Sequence, residues 1–186
     1  MKKLLCMLLA MACLLALVAC DSGTESNETE PSTTPATEKV LVTQPDGYAL
    51  YEKYGVVFAY PEAWTKTDAS VAIVQDSSDS GNNITVVSEP KNAMYDSMTL
   101  ESYNETMVPV YEAMGCVITD VKVEHVTNDH GLKLLAISFT NTMSGVTMKQ
   151  TQYVATIGDT SVTVTATFVK GDDAFVGVMY ETLRAK

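Results

Sequence analysis

Apolar and polar residues alternate in four long segments of the second half of the chain, and this pattern predicts β-strands. The segments are residues 117–126, 132–140, 147–157 and 161–169. In the last of them, alternate positions are predicted to point into the core (Val162, Val164, Ala166, Phe168) and outward (Thr163, Thr165, Thr167). Gly158-Asp159 is a tight-turn sequence, so the third and fourth segments are predicted to form a hairpin.

The first half of the folded region predicts three shorter strands and then a helix. The strands are residues 55–60, 71–75 and 84–88. A spacing of three and four then predicts a helix with one apolar face, made of Leu100, Tyr103, Met107, Val110, Tyr111 and Met114. Thr99 is placed to cap this helix and Gly115 to end it. Pro109 predicts a kink or a break near Val108, since proline removes a helical hydrogen bond.

A final helix is predicted after the last strand. It carries Phe175, Val178, Met179 and Leu183, and Asp172 or Asp173 can cap its start. The predicted order is therefore β-β-β-α-β-β-β-β-α. Strands joined mostly by hairpins, with two separate helices, predict the α+β class, in which an antiparallel β-sheet is packed by two main helices.

The amino terminus has the pattern of a secretory signal peptide. Residues 4–19 carry no charge and follow two lysines. As a helix this stretch would be about 24 Å long, which is short against the ~30 Å core of a bilayer. We therefore expect residues 1–19 to be a signal peptide that is removed, rather than a retained membrane helix.

The leader ends in Leu17, Val18, Ala19 and Cys20, which resembles the lipobox of bacterial lipoproteins. The resemblance implies that Cys20 becomes the lipid-bearing amino terminus of the mature protein. Two or three acyl chains anchor a protein stably, whereas one anchors it marginally. We therefore expect a protein held at the cell membrane, on its extracytoplasmic face, through lipid on Cys20.

Residues 20–39 are predicted to be a lipid-anchored tether, because the stretch after Cys20 is rich in Ser, Thr, Glu, Asn and Pro and lacks large apolar residues. Such a segment buries too little apolar surface to offset its ordering entropy, so we expect it to be disordered. Residues 40–186 are long enough for a single domain with its own core.

The charge and the cysteine content argue against a nucleic-acid-binding protein and against an intrachain disulfide. The net charge of −11 becomes about −13 once Lys2 and Lys3 leave with the leader, which argues against nucleic acid as a partner. After processing and lipidation of Cys20, Cys116 is the remaining free cysteine, so no intrachain disulfide is expected. We expect Cys116 to be a small buried residue between a helix and a strand, with a reactive thiol as the alternative.

One segment resembles a known superfamily. YGVVFAYPEAWTK, residues 54–66, is similar to the opening of PsbP-like and DcrB-like domains. The later order of one helix, two hairpins and a closing helix fits the same plan over about residues 49–186. The resemblance implies an α/β/α sandwich around an antiparallel sheet. It also implies a protein that acts by binding, since members include an accessory subunit of the photosynthetic oxygen-evolving complex, and no shared catalytic residues carry over.

Three groups of residues invite a chemical role. Asp76, Ser78, Ser80 and Gly81 resemble the start of a calcium loop, but its twelfth position is Val87 instead of glutamate, so a polar turn is favoured. His125, Asp129 and His130 flank a predicted hairpin turn and could hold a metal; they could also be ordinary turn residues. Cys116, His125 and Asp129 together could form a nucleophile set, although their spacing does not require one.

Trp64 is expected to pack in the core or at its edge, with a ligand-stacking role as the alternative. The sequence thus favours a non-catalytic binding or accessory module for an envelope protein complex or a small ligand. We expect no cofactor and no metal. The alternative is an envelope enzyme or metal-binding protein that uses the region of His125, Asp129 and His130.

Overall fold

A computed structural model describes residues 44–67 and 71–186 of the protein. The predicted signal peptide, the lipid site Cys20 and the tether 20–39 lie outside the described residues. The described part has the predicted α+β fold, with strands joined mainly by antiparallel pairing. Within it, none of the helices has the length and apolar character needed to span a membrane.

In the described part of the chain, ten strands form two antiparallel sheets. The strands are β1 (Tyr48–Lys53), β2 (Val56–Pro61), β3 (Thr65–Thr67), β4 (Ala72–Gln75), β5 (Asn83–Pro90), β6 (Cys116–Thr127), β7 (Lys133–Met143), β8 (Val146–Ile157), β9 (Thr160–Phe168) and β10 (Arg184–Ala185). The large sheet has the order β3-β4-β5-β9-β8-β7-β6, and the small sheet has the order β1-β2-β10. All seven predicted strands are present, within a few residues of their predicted ends.

The central helix is broken, as Pro109 predicts. A 3₁₀ helix (Ala93–Ser97) leads into α1 (Leu100–Thr106), and α2 (Val108–Ala113) follows after the junction residue Met107. Thr99 caps α1, where its side chain and that of Ser102 bond reciprocally to the backbone. The last helix is α3 (Ala174–Thr182).

Helices cover both faces of the large sheet. In β7, Leu134 belongs to the core cluster that contains Phe175 and Met179 of α3. Phe139, five residues further along, contacts Tyr111 of α2, with 5.4 Å between ring centroids. Side chains an odd number of positions apart point to opposite faces of a strand. α3 and the small sheet therefore pack on one face, and α1 and α2 pack on the other.

The core on the α3 side joins the two sheets. Phe58 of β2, Ile84 of β5, Val162 of β9 and Met179 of α3 are fully buried in one cluster. Each such side chain contributes roughly 1.5–3 kcal/mol when fully buried. The small sheet is held against the large one mainly by this apolar contact.

Several details differ from the sequence prediction. β1, β3 and β10 were not predicted, because β3 and β10 are only three and two residues long and β1 buries one of its six residues, Tyr51, which gives no clear alternation. Leu100 and Val110 are exposed, although their spacing placed them on the apolar face. Tyr103 of α1 and Tyr111 of α2 do share a buried face, since both rings contact Phe139. Thr167 is buried rather than outward, where its hydroxyl accepts a hydrogen bond from Gln150.

Candidate functional site

A cavity of about 550 Å³ lies where the β4–β5 loop meets the chain after β9. We call it the Trp64 cleft. Its wall is formed by aromatic side chains of Tyr48, Trp64 and Phe175, and its rim by Asp76, Lys170 and Asp172. The volume is within the range of small-molecule sites, and an apolar wall with few polar groups is typical of them.

The β4–β5 loop holds one carboxylate of the rim in a fixed place. One oxygen of Asp76 accepts the backbone N–H of Ser78 at 2.9 Å, and the other accepts the hydroxyl of Ser80. Burial acts to raise the pKa of Asp76, but the hydrogen bonds from Ser80 and Ser78 outweigh it and hold the pKa below its ordinary value. Asp76 is therefore ionised over the physiological pH range.

Asn82 joins the two loops that form the cleft. Its side-chain oxygen accepts the backbone N–H of Val169 at 2.8 Å, and its side-chain nitrogen donates to the carbonyl of Lys170 at 2.9 Å. Asn82 is buried, so these bonds satisfy its amide away from water. Its role could not be predicted from the sequence, since asparagine beside glycine in a polar loop indicates only a turn.

The aromatic wall is partly core and partly surface. The rings of Trp64 and Phe175 are tilted at 56°, with centroids 4.8 Å apart. Phe175 is buried, whereas Trp64 is half-buried and keeps part of its surface at the cleft. The expectation that Trp64 packs at the edge of the core is confirmed, and this position also exposes it to a molecule in the cleft.

Asp172 supplies the second carboxylate of the rim. One of its oxygens accepts the backbone N–H of Ala174, the first residue of α3, at 2.9 Å. The N-cap position itself is Asp173, whose side chain makes no capping bond. Burial, with a smaller contribution from the negative charge of Asp172, raises the pKa of Tyr48 above its ordinary value. The negative charge of Asp172 therefore acts on Tyr48, a residue that lines the cleft.

The region of His125, Asp129 and His130, which the sequence suggested as a metal or catalytic site, lies at a different cavity. This hairpin cavity, of about 510 Å³, is lined by Tyr95, His125 and the β6–β7 turn. His125 Nε2 lies 2.9 Å from the carbonyl oxygen of Met98, ahead of α1. His125 therefore connects β6 to the segment that precedes α1.

His130 has a similar structural contact. Its Nε2 lies 2.9 Å from the carbonyl oxygen of Glu181 in α3. The adjacent Asn128 is buried, and its side chain donates to the carbonyl of Leu183 and accepts from the backbone N–H groups of His130 and Leu132. These bonds attach the β6–β7 turn to the end of α3.

The proposed nucleophile set is not brought together. Cys116 pairs with Met143 at one end of the β6–β7 ladder, and His125 pairs with Leu135 towards the other end. Nine positions along a strand with a bulge between Thr119 and Lys122 separate them by roughly 25–30 Å. Cys116 is buried at the start of β6, as expected, and its sulfur lies 3.7 Å from that of Met143.

Neither the calcium-like loop nor the region of His125, Asp129 and His130 brings together a set of metal ligands. Across residues 44–67 and 71–186, there is no group of three or more His, Cys, Asp or Glu side chains that could hold a metal ion. In the calcium-like loop, both oxygens of Asp76 are bonded to its own serines. Val87, at the twelfth position, lies in β5 opposite Thr163.

Comparison with known proteins gives a fold and no family. No protein-family model and no curated protein sequence matches the chain. The solution structure of cyanobacterial PsbP (CyanoP) from Synechocystis sp. PCC 6803 is similar, with a TM-score of 0.55 and 12% identity, over 82% of this chain and 99% of that one. A protein from Bacteroides thetaiotaomicron VPI-5482 matches with a TM-score of 0.46 and 12% identity, over 71% of this chain and 45% of that one. The likeness to CyanoP shows that the domain has a PsbP-like fold.

Proposed function

We propose that this protein is a non-catalytic binding module, held on the extracytoplasmic face of the cell membrane by lipid on Cys20, and that the Trp64 cleft is its binding site. One observation carries the binding role: a cleft of about 550 Å³ that combines an aromatic wall with a charged rim. Binding pockets combine an apolar wall with a few placed polar groups in this way.

The chemistry of the cleft favours binding over catalysis. Among the residues that the structure describes, those lining the cleft include neither histidine nor cysteine. A general base works best when its pKa lies near the operating pH. The hydroxyl of Ser80 is bonded to Asp76, but the lowered pKa of Asp76 makes this carboxylate a weak base. The two histidines that suggested an enzyme are bonded to backbone carbonyls elsewhere.

The binding role is tested by thermal stability. A ligand that binds only the folded state raises the melting temperature. We expect at least one class in a panel of small cations, anions and sugars to raise the melting temperature of the full chain purified in non-ionic detergent. The rise should be lost in Trp64→Leu and kept in Glu105→Gln, an exposed position on α1. A panel without effect, or an effect that survives Trp64→Leu, would exclude the cleft as the binding site.

The anchor is tested separately in cells. Cys20→Ser removes the thiol that would carry the lipid, and two or three acyl chains contribute about 0.8 kcal/mol for each buried CH₂. We therefore expect the variant to leave the detergent-extractable membrane fraction, while Cys116→Ser stays in it. If the Cys20→Ser protein is processed and still pellets with membranes as the parent does, lipid on Cys20 is not the anchor.

A further inference from the structure

We propose that the Trp64 cleft takes an organic cation, a small molecule with a quaternary ammonium group. This inference rests on the proposed binding role of the same cleft and adds the class of ligand. It follows from the aromatic wall, the two carboxylates of the rim and the hydrogen bonds that the polar groups of the rim already make.

The aromatic wall suits a cation. Tyr48, Trp64 and Phe175 all line the cleft, and they come from three separate elements of the chain. An ammonium group within about 6 Å of an aromatic ring is attracted by the negative face of the ring, and tryptophan is the strongest partner. Trp64 is half-buried against Phe175, so its position is fixed before a ligand arrives.

The rim supplies the opposite charge. Asp76 and Asp172 approach the cleft from two loops, the first between β4 and β5 and the second after β9. Lys170 is the one basic residue in the described lining, and it is exposed to solvent. The whole chain has a net charge of −11, which raises the concentration of cations near its surface.

The existing hydrogen bonds favour a cation over a sugar. A sugar is recognised by several directional hydrogen bonds, whereas a quaternary ammonium requires only negative charge and aromatic surface. The amide of Asn82 is committed to the backbone at Val169 and Lys170, and both oxygens of Asp76 are bonded within the loop. The rim therefore retains negative charge, while the hydrogen-bonding groups of Asn82 and Asp76 are already used.

Trp64 is the only tryptophan in the chain, so its fluorescence reports on the cleft alone. The probe is choline chloride, added to the full chain in non-ionic detergent and compared with sodium chloride at equal ionic strength and with glucose. We expect choline to change the fluorescence of Trp64 saturably, and sodium chloride and glucose to leave it unchanged.

Two variants identify the site. Asp172→Asn removes one charge and keeps an oxygen that can accept from Ala174, and we expect it to weaken choline binding at least about fivefold. Glu105→Gln removes one charge from α1 and should change the affinity less than about twofold. Asp76→Asn repeats the test at the other loop should Asp172→Asn fail to fold.

Three results would overturn the inference. They are a choline effect equal to that of sodium chloride, choline binding that is unchanged by the aspartate variants, and saturable binding of glucose instead of choline. The last result would leave the Trp64 cleft as a binding site and change only its ligand class. The proposed binding role fails on a different observation, an entire panel of cations, anions and sugars without an effect on melting.

Discussion

At the scale of single residues, Gly55 is a point of close approach between the small sheet and the large one. Tyr54 and Gly55 form the turn between β1 and β2, and both have positive φ angles, 51° and 79°. A Cβ atom added at Gly55 would lie 2.9 Å from Cγ2 of Ile157 in β8. Only glycine satisfies both the backbone angle and this approach.

Gly145, in the turn between β7 and β8, provides a matched comparison. Its φ is also +79°, but a Cβ atom there would meet nothing within 4 Å. Gly145→Ala should therefore cost about 1–2 kcal/mol for the left-handed backbone alone. Gly55→Ala should cost about 1–3 kcal/mol more, because the clash with Ile157 is added. Urea unfolding of both variants measures the difference. Equal losses would show that the contact with Ile157 relaxes without cost.

At the scale of elements, the β6–β7 turn is attached to the end of α3. The attachment consists of hydrogen bonds from the side chains of Asn128 and His130 to this end of the chain. Asn128 is buried and makes three bonds, whereas His130 is partly exposed and makes one with its ring. The turn therefore depends more on Asn128 than on His130.

This difference gives a test of the metal alternative. His130→Ala should lower the free energy of unfolding by about 0.5–1.5 kcal/mol, the value of one hydrogen bond, and Asn128→Ala should lower it by more. EDTA or added zinc should leave the melting temperature of the parent protein unchanged, since a histidine bonded to a carbonyl gains nothing from metal. A rise of several degrees with zinc that disappears in His130→Ala would restore the metal-binding alternative.

The elements also show which parts of the fold and of the cleft can be predicted from the sequence. Long strands and both helical regions were predicted, because alternation and three-to-four spacing are local properties of the chain. The break at Met107 was predicted from Pro109 alone. The Trp64 cleft was not, because its two loops are far apart in sequence and are brought together by the pairing of Asn83 with Thr167. Asp76 and Trp64 were singled out, but their shared cavity depends on sheet order, which the pattern does not encode.

At the scale of the whole molecule, tyrosines are buried on both faces of the large sheet. Tyr103 projects from α1 against Phe139 on one face, and Tyr153 belongs to the core on the α3 face. Burial is the main cause that raises the pKa of Tyr103, and the negative charge that Tyr111 would carry adds to it. Burial, with a contribution from Tyr180, raises the pKa of Tyr153 to about 12. Ionisation of either tyrosine therefore opposes folding.

Tyr153 provides the prediction at this scale. Below pH 10 both the folded and the unfolded chain keep its proton, so this group adds no pH dependence. Above pH 10 the unfolded chain loses the proton, while the folded protein holds it until about pH 12. Stability should therefore fall as the pH rises between these values.

Tyr153→Phe lacks this loss, and we expect its stability relative to the parent to increase by about 1–2 kcal/mol over that interval. Urea unfolding followed by Trp64 fluorescence measures both proteins, and between pH 8 and 9 their difference should be constant. A difference that stays constant up to pH 12 would mean that Tyr153 ionises as readily in the folded core as in the unfolded chain.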